Sequence, residues 1–469
     1  MGKSIMFEKI PMDHESFIQA YLTLTLHKEE HVLLESGQKG RYSIAGIQPF
    51  AVIWADGQRI TIAQESQIEI LEGNPLQKLE EWMQQFSFPP HEGLPDFQGG
   101  AIGYISYDYA WCIEQLPFQA IDDIGLPLMY FFVFDEWAVY DHEEKCLWLM
   151  CLKRESEKKR LSPFKEAWLK AASMVPDEQM PAASGYRPHS ESRLTLTETE
   201  FVEAVEKIKE YIREGVVSQV NLTVRQSENL NVAPIHVYQE LRKLNPSPYM
   251  GYFHTPEFQI VSGSPELLIK KEGQKVDTRP IGGTRPRGKD PDEDKELEKE
   301  LLSSHKERDE HLMLVDIEIN DLGKVCESGS VHVDELMSVE KYSHVMHIVS
   351  HVSGTLSKDK SAFELIHAVF PGGSITGNPK LRTMEMIEEL EPVKRGVYTG
   401  SLGWIGFNGD LHLNIAIRTM IVKDQISHVQ AGAGIVIGSV PEDEYKESLK
   451  KAAALWKAKR EAENKASFL

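Results

Sequence analysis

Cysteine is scarce in this chain: four in 469 residues, Cys112, Cys146, Cys151 and Cys326, with neither CxxC nor zinc-ligand spacing. That excludes a disulfide framework and a cysteine-built metal site, and leaves reduced thiols as the expectation. Long apolar runs are missing too. Nowhere do about 18 apolar residues follow one another, so no membrane-spanning helix is expected. The start, MGKSIMFEKIPMDHESF, lacks the continuous apolar core of a secretory signal. Basic charge is in deficit, with 51 Lys and Arg against 72 Asp and Glu, a formal net charge of −21. Such a surface repels a phosphate backbone. The expectation is a cytoplasmic protein with neither nucleic acid nor membrane as partner.

The composition is that of a folded protein, 41% hydrophobic and 26% charged. Its length suggests two lobes or one elaborate domain. PDEQMPAASGYRPHSES, Pro176 to Ser192, is rich in Pro, Ser and Gly without apolar periodicity, and reads as a linker. It separates residues 1–175 from residues 193–460. The first part reads mainly as strands, with hairpin turns expected at Asp56-Gly57 and at Asp141 to Glu144, and a helix over NPLQKLEEWMQQF. The second opens on a helix capped by Thr197 or Thr199 and closing at Gly215. Strands follow, then one long helical run, DEDKELEKELLSSHKERDEHLMLVDIEINDLG. DLHLNIAIRTMIVK reads as a strand, and a last helix carries EDEYKESLKKAAALWKAK. Strands and helices come in blocks, so the fold class is α+β.

Four features could carry chemistry. Glu307 and Glu310, three residues apart on a helix, project about 60° apart from nearly one face, and Glu444 and Glu447 repeat this on the last helix. Four carboxylates from two helices could ligate a hard cation such as Mg²⁺; either pair alone reads as a solvated helix face. RPIGGTRPRG, with Gly283 and Thr284, could bring backbone N–H groups to a carboxylate or simply form a turn. AGAGIV, with Gly432 and Gly434, removes side chains inside a strand, for a ligand or for a bulge. Arg418, charged within an apolar run, seeks an anion: a ligand or a buried salt bridge. His344 and His347 have no further ligands at zinc spacing.

In this order, GSPELL, RPIGGTRPRG, KERDEHLMLVDIEINDLGKV, EKYSHVMHIVS, FPGGSITGNPKLRTMEMIEELEP, YTGSLGW, IRT, AGAGIV and EYKES resemble the chorismate-utilising enzymes. The likeness covers the second part densely and extends to the first through LLESGQKGRYSIAG and FQGGAIGYISYDYA, which resemble the amine-transferring members. It implies the anthranilate synthase component I-like fold, with central antiparallel β-sheets packed together and helices outside. Residues 1–175 would be the N-terminal region of that fold and 193–460 the chorismate-binding catalytic region.

Carried over residue by residue, the resemblance implies Mg²⁺ held by Glu307, Glu310, Glu444 and Glu447, anchoring the ring carboxylate of chorismate. Gly283, Thr284 and Lys451 would lie around that carboxylate, and Tyr398, Arg418 and Gly434, with Gly432 beside it, around the enolpyruvyl carboxylate. Glu266 would protonate the departing C4 hydroxyl, and His347 would line the ring pocket. At Gln219 the water-adding members have a lysine base; an amide there implies ammonia as nucleophile. FPGGSITG resembles members that aminate C4 rather than C2, although Gly282 stands where many of these carry a covalent Lys, and Asn378 where the family usually has Ala. No cysteine has glutaminase flanks, so the ammonia would come from a separate glutamine amidotransferase subunit. LLES and NPSPYM resemble the tryptophan pocket of amine-transferring members. The implied activity is Mg²⁺-dependent amination of chorismate to 4-amino-4-deoxychorismate, towards 4-aminobenzoate and folate. Amination at C2, and a non-catalytic chorismate- or tryptophan-binding regulatory subunit, are the alternatives.

Overall fold

The computed structural model describes residues 5–37, 40–65, 67–153, 160–174, 192–342 and 345–466. Residues 176–191 of the expected linker, and His344, lie outside them.

Local signals set most elements. Asn74 accepts from Gln77 N and starts the Pro75–Gln84 helix. Thr197 and Glu200 form a reciprocal capping box at the head of Glu198–Arg213, which satisfies two otherwise orphaned donors. Asp56 pairs with Arg59 across a two-residue turn with Gly57 at φ 60°, and Asp141 pairs with Cys146, so both expected hairpins are present. The long acidic run is not one helix. It breaks into Pro291–Ser303 and His305–Gly323 at Ser304, whose extended backbone ends the first helix while its hydroxyl accepts from Glu307 N. A serine interrupts a helix when it can cap the next one.

These elements assemble on two 12-stranded sheets. In the first, Ile5–Pro11, Cys146–Leu152, Glu136–Asp141, Tyr42–Ile47 and His31–Glu35 continue into Tyr249–His254, Phe258–Ser264, Thr419–Lys423, Ile426–Ile435, Gln219–Asn229 and Arg193–Leu194, with Gly377–Asn378 also paired to Gln219–Asn229. In the second, Ile281–Pro286, Val345–Thr355, Lys275–Arg279, Leu267–Glu272, Leu411–Asn414 and Ser401–Gly406 continue into Gly100–Ile105, Met129–Val133, Ala51–Asp56, Arg59–Gln64 and Gln67–Glu72, with His332–Lys341 on Val345–Thr355. The named pairings are antiparallel, as expected of α+β. The division at the linker is not a division between sheets, because each sheet takes strands from both sides of it.

The sheets pack face to face through aromatic side chains. Phe132 of one stacks on Phe253 of the other at 4.4 Å. On the outer side of the first sheet, Phe17, Trp168, Tyr238 and Trp456 from four helices form a second buried layer. The chain crosses between sheets at two places that matter. Ser264 ends a strand of the first and Leu267 begins one of the second, so Glu266 lies in the crossing. DLHLNIAIRTMIVK, expected as one strand, is two: Leu411–Asn414 in the second sheet and Thr419–Lys423 in the first. Arg418 lies in that return crossing at φ 51°, and Ile415 N donates to Glu266 O at 3.0 Å, tying the two crossings together.

Candidate active site

Around these crossings the expected residues meet. Glu266 is 5% exposed. Burial raises its carboxyl to about 7, against the opposing influence of Ser374, the Ile281 backbone and Arg418. A carboxyl with that value holds a transferable proton at neutral pH. Arg418 is desolvated, which pulls its guanidinium below the ordinary value, and it feels Tyr398, Glu266 and Glu447 through space. A cation held by strained backbone and facing several groups, without a hydrogen-bonded carboxylate among them, is poised for an anion. Tyr398, buried beside it, is raised by desolvation.

The IGGT segment forms the next wall. It is a strand with a bulge between Gly282 and Thr284 rather than a turn. Gly283 has φ 51°, and a Cβ there would stand 3.0 Å from Glu307 Oε2, so only glycine lets the strand lie this close to the carboxylate. Thr284 Oγ1 lies 3.0 Å from His347 Nδ1, and Gly283 O lies 3.3 Å from the same nitrogen. Burial, then Arg418, lowers His347 to about 4. The ring is therefore neutral at physiological pH, and donating from Nδ1 to the carbonyl leaves Nε2 an acceptor.

The four metal-type glutamates project from the first two turns of two helices, His305–Gly323 and Pro441–Ala466. Burial raises Glu310 to about 7, and Glu307, Glu444 and Glu447 each add to the rise, opposed by Lys306. Desolvation also raises Glu444. Glu447 is pushed up by burial too, but Lys451, then Lys306 and Arg418, outweigh it and hold it low. Arg285 Nη1 binds Glu307 at 3.0 Å, Lys451 binds Glu447 at 2.8 Å, and Lys306 lies 3.8 Å from Glu310. Among the described residues, these four do not form a group with donor atoms all within 4.8 Å of one another. The donor set nevertheless suits a hard divalent ion: four carboxylates that sense one another, one with a buried oxygen, Glu310 Oε1, that has no hydrogen-bond partner. Two other clusters do meet that distance, Asp141/Glu144/Cys146 and Asp277/Asp334/His351. Arg41 binds Asp141 and Lys275 binds Asp277.

AGAGIV closes the site as a regular strand, without a bulge: Gly432 pairs with Thr223 and Gly434 with Asn221. Lys451 Nζ donates to Gly432 O at 3.0 Å. A Cβ on Gly434 would meet Gln219 Nε2 at 2.1 Å, so this glycine exists for close approach. Gln219 is 9% exposed, and its Oε1 has no hydrogen-bond partner. Sequence reasoning passed over Arg285, although it lies inside the quoted RPIGGTRPRG, and Glu318, which is fully desolvated, raised to about 8 and bonded to Thr278 Oγ1 at 3.2 Å. The available signal was a carboxylate two turns beyond Glu310 on the same helix. Elsewhere, LLES and NPSPYM do meet: Glu35 pairs with Met250, and a Cβ on Gly37 would strike Ser247 O at 2.3 Å.

A two-sheet α+β enzyme with an acid, an anion-seeking arginine and paired glutamates is the class this geometry defines. The model of the chorismate binding enzyme family matches residues 29–457, and the chain belongs to that family. It is 50% identical over 456 residues, 96% of both chains, to a Bacillus subtilis protein named aminodeoxychorismate synthase component 1. It is 41% identical to anthranilate synthase component 1 of Acetivibrio thermocellus, over 92% of this chain and 89% of that one. In structure it resembles anthranilate synthase component I of Streptococcus pneumoniae, with TM-score 0.79, 34% identity, and coverage of 89% of this chain and 92% of that one.

Proposed function

We propose that this chain is an aminodeoxychorismate synthase component 1, which aminates chorismate at C4 with ammonia and gives 4-amino-4-deoxychorismate, towards 4-aminobenzoate and folate. The observation that carries the reading is the pairing of two opposites at one site. Glu266 keeps a proton at neutral pH, while Gln219, against Gly434, can neither gain nor lose one. The first suits a leaving hydroxyl and the second a neutral amine nucleophile.

Arg418 and Tyr398 take the enolpyruvyl carboxylate; Lys451 and the Gly283–Thr284 backbone lie at the ring carboxylate. Glu307, Glu310, Glu444 and Glu447 would hold Mg²⁺, which when bound neutralises that carboxylate and fixes the ring. Glu266 gives its proton to the C4 hydroxyl as the C–O bond breaks, and the oxygen leaves as water. The ammonia nitrogen forms the C–N bond at C4 and gives up one proton, which replaces the one Glu266 donated, so chorismate and NH₃ become aminodeoxychorismate and water. Neutral His347 lines the ring without a competing charge. A Cβ at Gly282 would meet His311 Nδ1 at 2.7 Å. A lysine is therefore disfavoured there, and ammonia itself makes the bond.

The ammonia source is a glutamine amidotransferase partner in the cytoplasm. Burial raises Cys112 and Cys326 to about 11 and also raises Cys146, and Cys151 is fully buried. A glutaminase nucleophile needs the reverse, a lowered thiol. No helix of the described residues is long and apolar enough to cross a membrane.

Purified protein given chorismate, Mg²⁺ and ammonium salt should form aminodeoxychorismate without releasing pyruvate. Fluorescent anthranilate, with pyruvate, would overturn the choice in favour of the C2-aminating relatives. Glu447→Gln should abolish turnover and calorimetric Mg²⁺ binding together; undiminished Mg²⁺ binding would refute the assignment of that ligand.

A further inference from the structure

Away from the chorismate pocket, Lys275–Arg279 and His332–Lys341 both pair with the strand Val345–Thr355. Asp277 and His332 both lie opposite Ser353, in one row across the sheet. His351 is two residues along from Ser353 and so on the same face. The register shifts between Val333 and Glu335, which makes Asp334 an extra residue. A bulge of this kind re-aims a side chain, and here it turns one carboxylate to two rings. Asp334 Oδ1 lies 2.9 Å from His332 Nε2, and Asp334 Oδ2 lies 3.5 Å from His351 Nδ1.

The other nitrogen of each ring is already committed. His332 Nδ1 is 2.7 Å from Ser330 O, which can only accept, so that nitrogen carries a hydrogen. His351 Nε2 stands likewise 2.8 Å from Asp277 Oδ1. In the neutral rings the two remaining lone pairs therefore point at Asp334, acceptor against acceptor. Either two further protons or one metal ion resolves that conflict. A hydrogen bond from Ser353 lowers the Asp334 carboxyl and keeps it anionic. An acceptor behind each imidazole is also the usual outer support of metal-binding histidines. Bonds of about 2.0–2.1 Å set tetrahedral ligand atoms about 3.3 Å apart, and 2.9 and 3.5 Å bracket that spacing. Asp277, Asp334 and His351 already offer donor atoms within 4.8 Å of one another. His332 stands outside that group, but it is 62% exposed and can rotate inward.

We propose that His332, Asp334 and His351, with Asp277 behind His351, form a second metal site, one for a divalent ion of the zinc class. Two imidazoles suit Zn²⁺, whereas Mg²⁺ takes oxygen ligands. Lys275, itself 58% exposed, shares Asp277 Oδ1 with His351 and leaves the lone pairs facing Asp334 untouched. The Asp141/Glu144/Cys146 cluster lacks this poise: Arg41 engages both Asp141 oxygens, and burial raises the Cys146 thiol. The ion joins His332–Lys341 to Val345–Thr355, the strand that also carries His347, and so staples the sheet beside the pocket rather than within it.

The test titrates chelator-stripped protein with ZnCl₂ in excess MgCl₂ by calorimetry. One zinc should bind with release of protons and raise the melting temperature. His351→Ala and His332→Ala should each remove this zinc, and Asp277→Asn should weaken it about 10- to 100-fold. Chorismate consumption with Mg²⁺ and ammonium should stay that of the unaltered chain in all three. Zinc taken up by the four glutamates would persist in these variants and is told apart in that way. Absence of a bound zinc that His351→Ala or His332→Ala removes overturns the site, as does its displacement by Mg²⁺. Should a variant in the buried row fail to fold, the exposed His332→Ala decides alone.

Discussion

Replacing Glu266 by Gln should move activity and stability in opposite directions. Burial lifts this carboxyl from 4.5 to about 7, a rise that corresponds to about 3 kcal/mol against the ionised form. In the unfolded chain the group loses its proton near 4.5, whereas in the folded protein it keeps it until about 7. The folded state therefore binds the extra proton between these values, and stability falls as pH rises through that window. Above pH 7 the full penalty is present; below pH 4.5 none of it is. Glutamine fills the same volume and never ionises, so the variant should gain up to about 3 kcal/mol at pH 9 and nothing at pH 4. The gain is an upper value, since the amide must also find partners for its N–H groups near Ser374 and the Ile281 backbone. Turnover should fall by about 10² to 10⁴, because no proton reaches the leaving hydroxyl. Calorimetric melting at pH 6 and pH 9, beside chorismate consumption, measures both. A lower melting temperature at pH 9, or activity above a tenth of that of the unaltered chain, would refute the reasoning.

Gly434→Ala places a methyl 2.1 Å from Gln219 Nε2 and should cost about 1–3 kcal/mol in unfolding experiments, with a raised KM for ammonia. Arg418→Gly relieves a left-handed backbone, worth about 1 kcal/mol, yet should raise the chorismate KM at least about tenfold for want of its cation; an unchanged KM would remove Arg418 from the carboxylate site. Ser304→Ala deletes the cap on Glu307 N and should cost about 1 kcal/mol of stability, read as a lowered denaturant midpoint.

Several elements were legible because their causes are local. Thr197 with Glu200, Asn74 before Pro75, and the Asp56-Gly57 turn each satisfy or redirect backbone groups within a few residues, and the structure keeps all three. The paired glutamates were visible as spacing, since helical geometry alone puts i and i+3 on one side. Ser304 misled because its neighbours on both sides favour helix, and only its hydroxyl's alternative bond to Glu307 N ends the run.

By itself, then, the sequence determined most of the elements, several of their caps, the two carboxylate pairs and the family. The tertiary structure alone decided where IAIR leaves one sheet for the other, and so that Arg418 faces Glu266 across two crossings. It also decided that Gly434 exists for Gln219, that Gly283 exists for Glu307, and that Arg285 and Lys451 pair with two of the glutamates. The reason is physical. Capping and periodicity act over a few residues along the chain, whereas these contacts come from strand pairings between distant segments, and register, not local preference, chooses which side chains meet.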